Sequence, residues 1–312
     1  MRIVYHLGAH CTDEERLLRC LLKNRGILAK EGIIVPGPAK YRDLLRDTAM
    51  TLKGRPADQD TFNVIAVSRS RSRYFAGPAD QDTQALVLDQ IMSEDRAERL
   101  ILSWENFIGY TRGAVRGSLY KSAGERMQAF CQIFPGIETE FHLAIRNPAT
   151  FIPAVFHKQR GLTLDEFLKE IDAQGMRWSD TIASLVDSNP GVPITVWCDE
   201  DTPLLWPEIL QAVSGHSNAI TLEDTDDLLA SIMSDDGMQR MSAYLASHPP
   251  QGAPQRQRIV SAFLDKFARP EKIEVELDLP GWTEPLVARM TEAYDHDVSR
   301  IIAMDGVRFL AP

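Results

Sequence analysis

Arg2-Ile3-Val4-Tyr5-His6-Leu7-Gly8-Ala9-His10-Cys11-Thr12-Asp13-Glu14-Glu15 decides the fold. Residues 3–7 are apolar at every position but one and rich in β-branched and aromatic types, the pattern of a strand covered on both faces. Gly8 breaks the run, and acidic residues then open a helical pattern that continues to about residue 30. Similar compact runs recur at residues 100–102, 141–145 and 194–197, each bounded by turn or charged residues. Between them the periodicity predicts helices over 121–133, 163–173 and 179–188. Strand and helix therefore alternate, which predicts an α/β fold, an open parallel sheet wound by right-handed crossovers. Ligands of such sheets gather at the carboxyl ends of the strands.

Beyond about residue 215 helical spacing takes over, over 226–233, 238–247, 255–267 and 284–304. The residues from Trp282 to Ile301 that follow i, i+3, i+4 spacing read as core. Linker composition between the halves is weak, so the expectation is one domain over 1–312, with an α/β core over 1–215 and a mostly helical extension over 216–312.

The chain has 312 residues, 44% of them hydrophobic, enough for a core that needs no disulfide or metal staple. Lysine and arginine number 34 against 44 acidic residues, a net charge of −10, which argues against nucleic acid or an anionic membrane face as partner. Cys11, Cys20, Cys131 and Cys198 lie far apart without a C-x-x-C, the usage of reduced thiols in a cytoplasmic protein. The leading apolar run is too short for a signal peptide, and no stretch of about 18 apolar residues predicts a membrane span.

The turn after the first strand is where α/β proteins cradle phosphate on backbone amides. His6, Gly8 and Thr12, continued by Leu17, Leu21, Asn24-Arg25, Gly32-Ile33 and Pro36-Gly37, resemble the amino-terminal region of bacterial sulfotransferase-family proteins. The resemblance implies a P-loop-like fold of the sulfotransferase type. It also implies a turn, made here of Gly8, Ala9, Cys11 and Thr12, that holds the 5′-phosphosulfate of 3′-phosphoadenosine 5′-phosphosulfate as co-substrate. Cys11 stands where the family places its lysine, and Asp13, Glu14 and Glu15 replace small and hydroxyl residues. His10 and the turn's amides would then stand in for that lysine. Thr12 with Glu15 also spells a T-x-x-E capping box, which explains the turn by local capping alone. Three carboxylates in this turn would oppose a bound anion.

Two further segments fit the same resemblance. Glu105, after the run over 100–102, is similar to the family's glutamate that serves as base for the acceptor hydroxyl; a loop acid is the plainer account. Arg146, with Pro148 two residues on, is similar to the family's arginine for the 3′-phosphate, and a planar guanidinium suits bidentate grip. An ion pair with one of the many acids accounts for it equally. Ala154 stands where a serine completes that clamp. Asn147 reads as a helix cap before Pro148.

Asp199-Glu200-Asp201 ends a strand in Walker B fashion, but no G-K-[ST] is present, so these acids are expected to cap the next helix. His6, His10, Cys11 and Asp199 lack the spacing of metal ligands, and no metal is expected. Arg69, Arg71 and Arg73 alternate with serines, either as a solvated loop or as a holder for an anionic acceptor. The resulting expectation is sulfuryl transfer to a hydroxyl of a carbohydrate or other small molecule, with Glu105 and His10 catalytic. The competing expectation is a binding or regulatory protein that keeps the sheet and has lost the phosphosulfate site.

Overall fold

A computed structural model describes residues 1–12, 15–53, 77–92, 97–159, 161–169, 171–273 and 279–312. From the amino end come β1 (Arg2–His6), α1 (Arg16–Lys23), α2 (Arg25–Ala29), β2 (Ile33–Ile34), α3 (Arg42–Leu52), α4 (Gln81–Ile91) and β3 (Arg99–Ser103). Next are α5 (Ala123–Cys131), β4 (Glu138–Ile145), α6 (Pro148–Lys158), α7 (Leu164–Leu168), α8 (Trp178–Ser188), β5 (Ile194–Cys198) and α9 (Thr202–Ser214). The carboxyl third holds α10 (Asp227–Ile232), α11 (Asp235–Ser247), α12 (Ala253–Phe267), α13 (Pro270–Ile273), α14 (Glu284–Ile302) and β6 (Val307–Leu310).

The described strands form one parallel sheet in the order β2-β3-β1-β4-β5-β6. The strand runs read from the sequence become β1, β3, β4 and β5. The two edge strands were not legible, and β6 returns the carboxyl third to the sheet. Alternation of side chains along each strand divides the core. Ile3, Tyr5, Leu7, Leu102, Phe141, Leu143 and Val196 face one layer with α3, α5, α6, α8 and α14, while Val4, Ile101, Ala144 and Trp197 face the other with α1 and α9. Chain leaving β1 thus passes to one face, and chain leaving β3 and β4 to the other. In open α/β sheets such a divergence marks the topological switch point and its crevice, which falls here at the carboxyl end of β1.

The helix expected from residue 13 to about 30 is two helices, broken at Asn24. Its buried amide donates to the carbonyls of Cys20 and Glu223, both at 2.9 Å, and its oxygen accepts from the Glu223 amide at 2.7 Å. A link across the chain therefore overrides local periodicity. Asp297 of α14, also buried, accepts from the Ser179 amide at 3.0 Å and from its hydroxyl at 2.5 Å, which ties the last long helix to the first turn of α8. No helix among the described residues is long and apolar enough to cross a membrane.

One sheet face carries a buried polar layer. His142 of β4 donates from Nε2 to Glu140 Oε1 at 2.8 Å, and Glu140 also takes Arg99 and, at 3.3 Å, Arg2. Burial holds the His142 imidazole below its ordinary value of 6.5 against the pull of Glu140. Between its lowered folded value and 6.5 the unfolded chain takes up a proton that the folded chain refuses, so stability falls as pH drops below 6.5. Urea midpoints measured from pH 7.5 down to 5 should decline, and His142→Gln should flatten part of that slope. An unchanged slope in the variant would show that His142 does not titrate on unfolding.

Candidate functional site

Gly8 sits at the crevice with φ of +49°, a left-handed conformation that glycine adopts freely. A Cβ there would lie 3.4 Å from the Glu105 Cα, so the first turn rests directly on the backbone that follows β3. Arg146, leaving β4, closes the other side. Its Nη1 donates to the Cys11 carbonyl at 2.5 Å, and its Nε donates to Thr150 Oγ1 at 3.0 Å. The three segments singled out in the sequence therefore meet at one end of the sheet. Arg146 forms no ion pair among the described residues. The Leu7 amide is spent on the His142 carbonyl and the His10 amide on Tyr120, whereas the amides of Gly8, Ala9 and Thr12 donate to no described group.

The capping box between Thr12 and Glu15 does not form. Thr12 Oγ1 turns back to donate to the Ala9 carbonyl at 2.7 Å, and Glu15 stands at the N-cap of α1 with φ of +63°, its own side chain making no cap bond. Glu15 instead accepts from Arg42, at the start of α3, at 2.7 Å. Arg42 also reaches the Ser103 carbonyl at 3.1 Å at the end of β3, and its Nε is buried with no hydrogen-bond partner among the described residues. One acid of the turn is thus neutralised by a cation that arrives from another helix. Asp13, Glu14 and the Arg69, Arg71 and Arg73 cluster lie outside the described residues.

His10 is fully buried, and both ring nitrogens are engaged. Nδ1 accepts from the Tyr120 hydroxyl at 2.8 Å while Nε2 donates to Asn106 Oδ1 at 3.0 Å. Burial lowers its proton affinity more than nearby Glu105 raises it, so the ring stays neutral near pH 7. It fastens the turn to the Glu105 loop and brings no positive charge. Cys11, half-buried and left-handed with φ of +59°, contributes its carbonyl to Arg146.

Glu105 is partly exposed, and Oε2 accepts from Lys158 Nζ, in the last turn of α6, at 2.5 Å. Lys158 was missed in the sequence because it is one of many surface-type lysines and reaches the loop only through the path of α6. Asn147 caps α6 as expected, accepting from the Ala149 amide at 2.9 Å. The acids after β5 do something different from capping. Asp201, at the N-cap of α9, makes no side-chain cap bond, and Glu200 accepts from the Asn147 amide at 2.8 Å and from the Tyr294 hydroxyl at 3.3 Å. Glu200 thereby braces the loop that carries Arg146. Among the described residues no group of three or more His, Cys, Asp or Glu is placed to hold a metal ion.

Chemically, the crevice offers unspent amides and a guanidinium for an anion, beside a carboxylate able to take a proton. No family model matches the chain, and neither a curated protein nor a solved structure matches it.

Proposed function

We propose that the crevice binds 3′-phosphoadenosine 5′-phosphosulfate and transfers its sulfuryl group to a hydroxyl of a carbohydrate or other small acceptor, on a P-loop-like sheet of the sulfotransferase type. The observation that carries this reading is the convergence at one strand end. Gly8 packs so close to the Glu105 backbone that an added Cβ would lie 3.4 Å from its Cα, and the Arg146 guanidinium lies 2.5 Å from the same turn's Cys11 carbonyl. The amides of Gly8, Ala9 and Thr12 hold the 5′-phosphosulfate, and Arg146 takes the 3′-phosphate. As the acceptor oxygen bonds to sulfur, the bond from sulfur to the bridging phosphate oxygen breaks. The hydroxyl proton passes to Glu105, and adenosine 3′,5′-bisphosphate leaves with the electron pair.

A second reading is favoured by one feature: Arg146 is already held by Cys11 and Thr150, and no lysine stands in the turn. On that reading the protein binds the nucleotide, or a related anion, without chemistry.

Calorimetry with adenosine 3′,5′-bisphosphate tests both. Micromolar binding is expected, and Arg146→Ala should weaken it at least about thirtyfold, the loss that follows when a charged partner worth about 2 kcal/mol or more is removed from a phosphate. No heat at millimolar nucleotide removes the first reading and leaves the second only with a related anion as its ligand. Binding without transfer to any hydroxyl acceptor selects the second.

A further inference from the structure

A cavity of about 250 Å³ opens beside the Glu105–Lys158 pair, lined by Thr111, Arg112, Lys158, Gln159, Gly161 and Leu162. A second hollow of about 80 Å³ continues from it across Arg112 and Leu162. Drug-sized ligand sites run to about 300–1,000 Å³, so this space suits a single sugar-sized ring. The Gln159 amide donates to the Thr111 carbonyl at 3.3 Å and joins the two walls.

The charges around the cavity are unevenly spent. Glu166, at its far side, is turned toward the capping box of α7, where its carboxylate accepts from the Thr163 amide and hydroxyl, both at 2.9 Å, and it forms no ion pair with Arg112. Glu105 is taken by Lys158. Arg112 forms no hydrogen bond or ion pair among the described residues. Among the described residues, the cavity is thus lined by one guanidinium without an ion pair and by an ammonium paired with the proposed base alone. The closing carbonyls of α6 add about half a negative charge there, less than the two cations supply.

We propose that this cavity is the acceptor subsite, and that it selects a hydroxyl compound bearing its own oxyanion, a carboxylate or a phosphate, held between Arg112 and Lys158. The inference rests on the sulfuryl-transfer reading above for the role of Glu105. The incoming anion competes with Glu105 for Lys158. It draws the ammonium toward itself and leaves the carboxylate free to accept the proton of the acceptor hydroxyl. A neutral polyol leaves the Glu105–Lys158 pair closed. Against a chain of net charge −10, such selectivity has to come from local cations.

The test is calorimetry of the full chain, without nucleotide, using glucuronate, glucose 6-phosphate and glucose. At least one of the two anions should bind about tenfold or more tighter than glucose, and which of them does so names the anion. Arg112→Ala should abolish the difference and Arg112→Lys should restore part of it. Because Arg112 is exposed and makes no contact that the fold depends on, its variants should melt with the wild type. Equal affinity for all three probes, no heat from either anion at millimolar concentration, or a preference untouched by Arg112→Ala overturns the proposal. These titrations report on the Arg112 cavity alone. Adenosine 3′,5′-bisphosphate binding reports on the Gly8 turn and Arg146, so failure of one is distinguishable from failure of the other.

Discussion

Trp178→Ala is expected to lower the stability of the chain by about 3–5 kcal/mol and, on the proposed function, to weaken nucleotide binding at the same time. Trp178 opens α8 and is completely buried, with Phe151 at 5.4 Å and Tyr120 at 5.9 Å between ring centroids. Truncation removes one of the largest core side chains and leaves a cavity that helices on two sides are too stiff to fill. The indole also makes a polar contact, since its Nε1 donates to the Arg146 carbonyl at 2.8 Å. Tyr120, which it packs against, holds His10 through the hydroxyl. One side chain thus supports both walls of the crevice.

Trp178→Phe separates the two contributions. It keeps most of the ring packing and loses the hydrogen bond, so about 1–3 kcal/mol is expected from the orphaned carbonyl together with a small repacking cost. Urea unfolding gives the stability of each variant, and calorimetry with adenosine 3′,5′-bisphosphate gives the affinity. If the loop carrying Arg146 depends on the indole bond, the phenylalanine variant loses nucleotide affinity by about fivefold or more while remaining folded. Wild-type affinity in that variant would show that the loop's remaining contacts, those of Asn147 with Glu200 and Thr291 among them, suffice to hold it.

What the sequence reveals about this fold follows how local the controlling interactions are. The central strands β1, β3, β4 and β5 are legible because both faces are buried and nearly every residue must be apolar. The edges are not. β2 has two residues, and β6, Val-Arg-Phe-Leu, mixes one charged and three apolar residues on a strand with a single neighbour. Asn24 looks like any helical polar residue until Glu223 arrives to bind it. Capping is similar. Thr163 with Glu166 forms the box its spacing allows, whereas Thr12 with Glu15, of identical spacing, does not: Thr12 bonds back to the Ala9 carbonyl and Glu15 pairs with Arg42. A motif of four residues cannot register a competitor 27 positions downstream.

The site divides along the same line. Gly8, Glu105 and Arg146 lie immediately after strands, and parallel-sheet topology brings all such positions to one end. Lys158, Arg42 and Glu200 come from helices or turns whose approach is set by packing. Their importance lies in charge: Lys158 faces Glu105, Arg42 faces Glu15, and Glu200 braces Asn147. The acidic turn, repulsive to an anion when read in isolation, therefore has part of its charge matched from outside.

On the proposed sulfuryl-transfer reading, replacing Glu105 with glutamine should cost about 10²–10⁴-fold in kcat, the usual worth of a general base, and leave nucleotide affinity close to that of the wild type. The amide is nearly the same shape, and its oxygen can still accept from Lys158, so the loop is expected to stay in place. Its backbone position is fixed independently by contact with Gly8 and by Arg126, which donates to the Asn106 carbonyl at 2.7 Å and to the Phe107 carbonyl at 3.1 Å. What the amide lacks is a lone pair basic enough to take the acceptor proton. Restoring base strength in solution, with formate or acetate as a small exogenous carboxylate, should recover part of the rate in Glu105→Ala, where the truncation leaves room beside Lys158. A Glu105→Gln variant within about fivefold of the wild-type rate, short of the range expected for a general base, would mean that the carboxylate serves only as a counter-ion for Lys158. The proton would then leave the acceptor hydroxyl by another route.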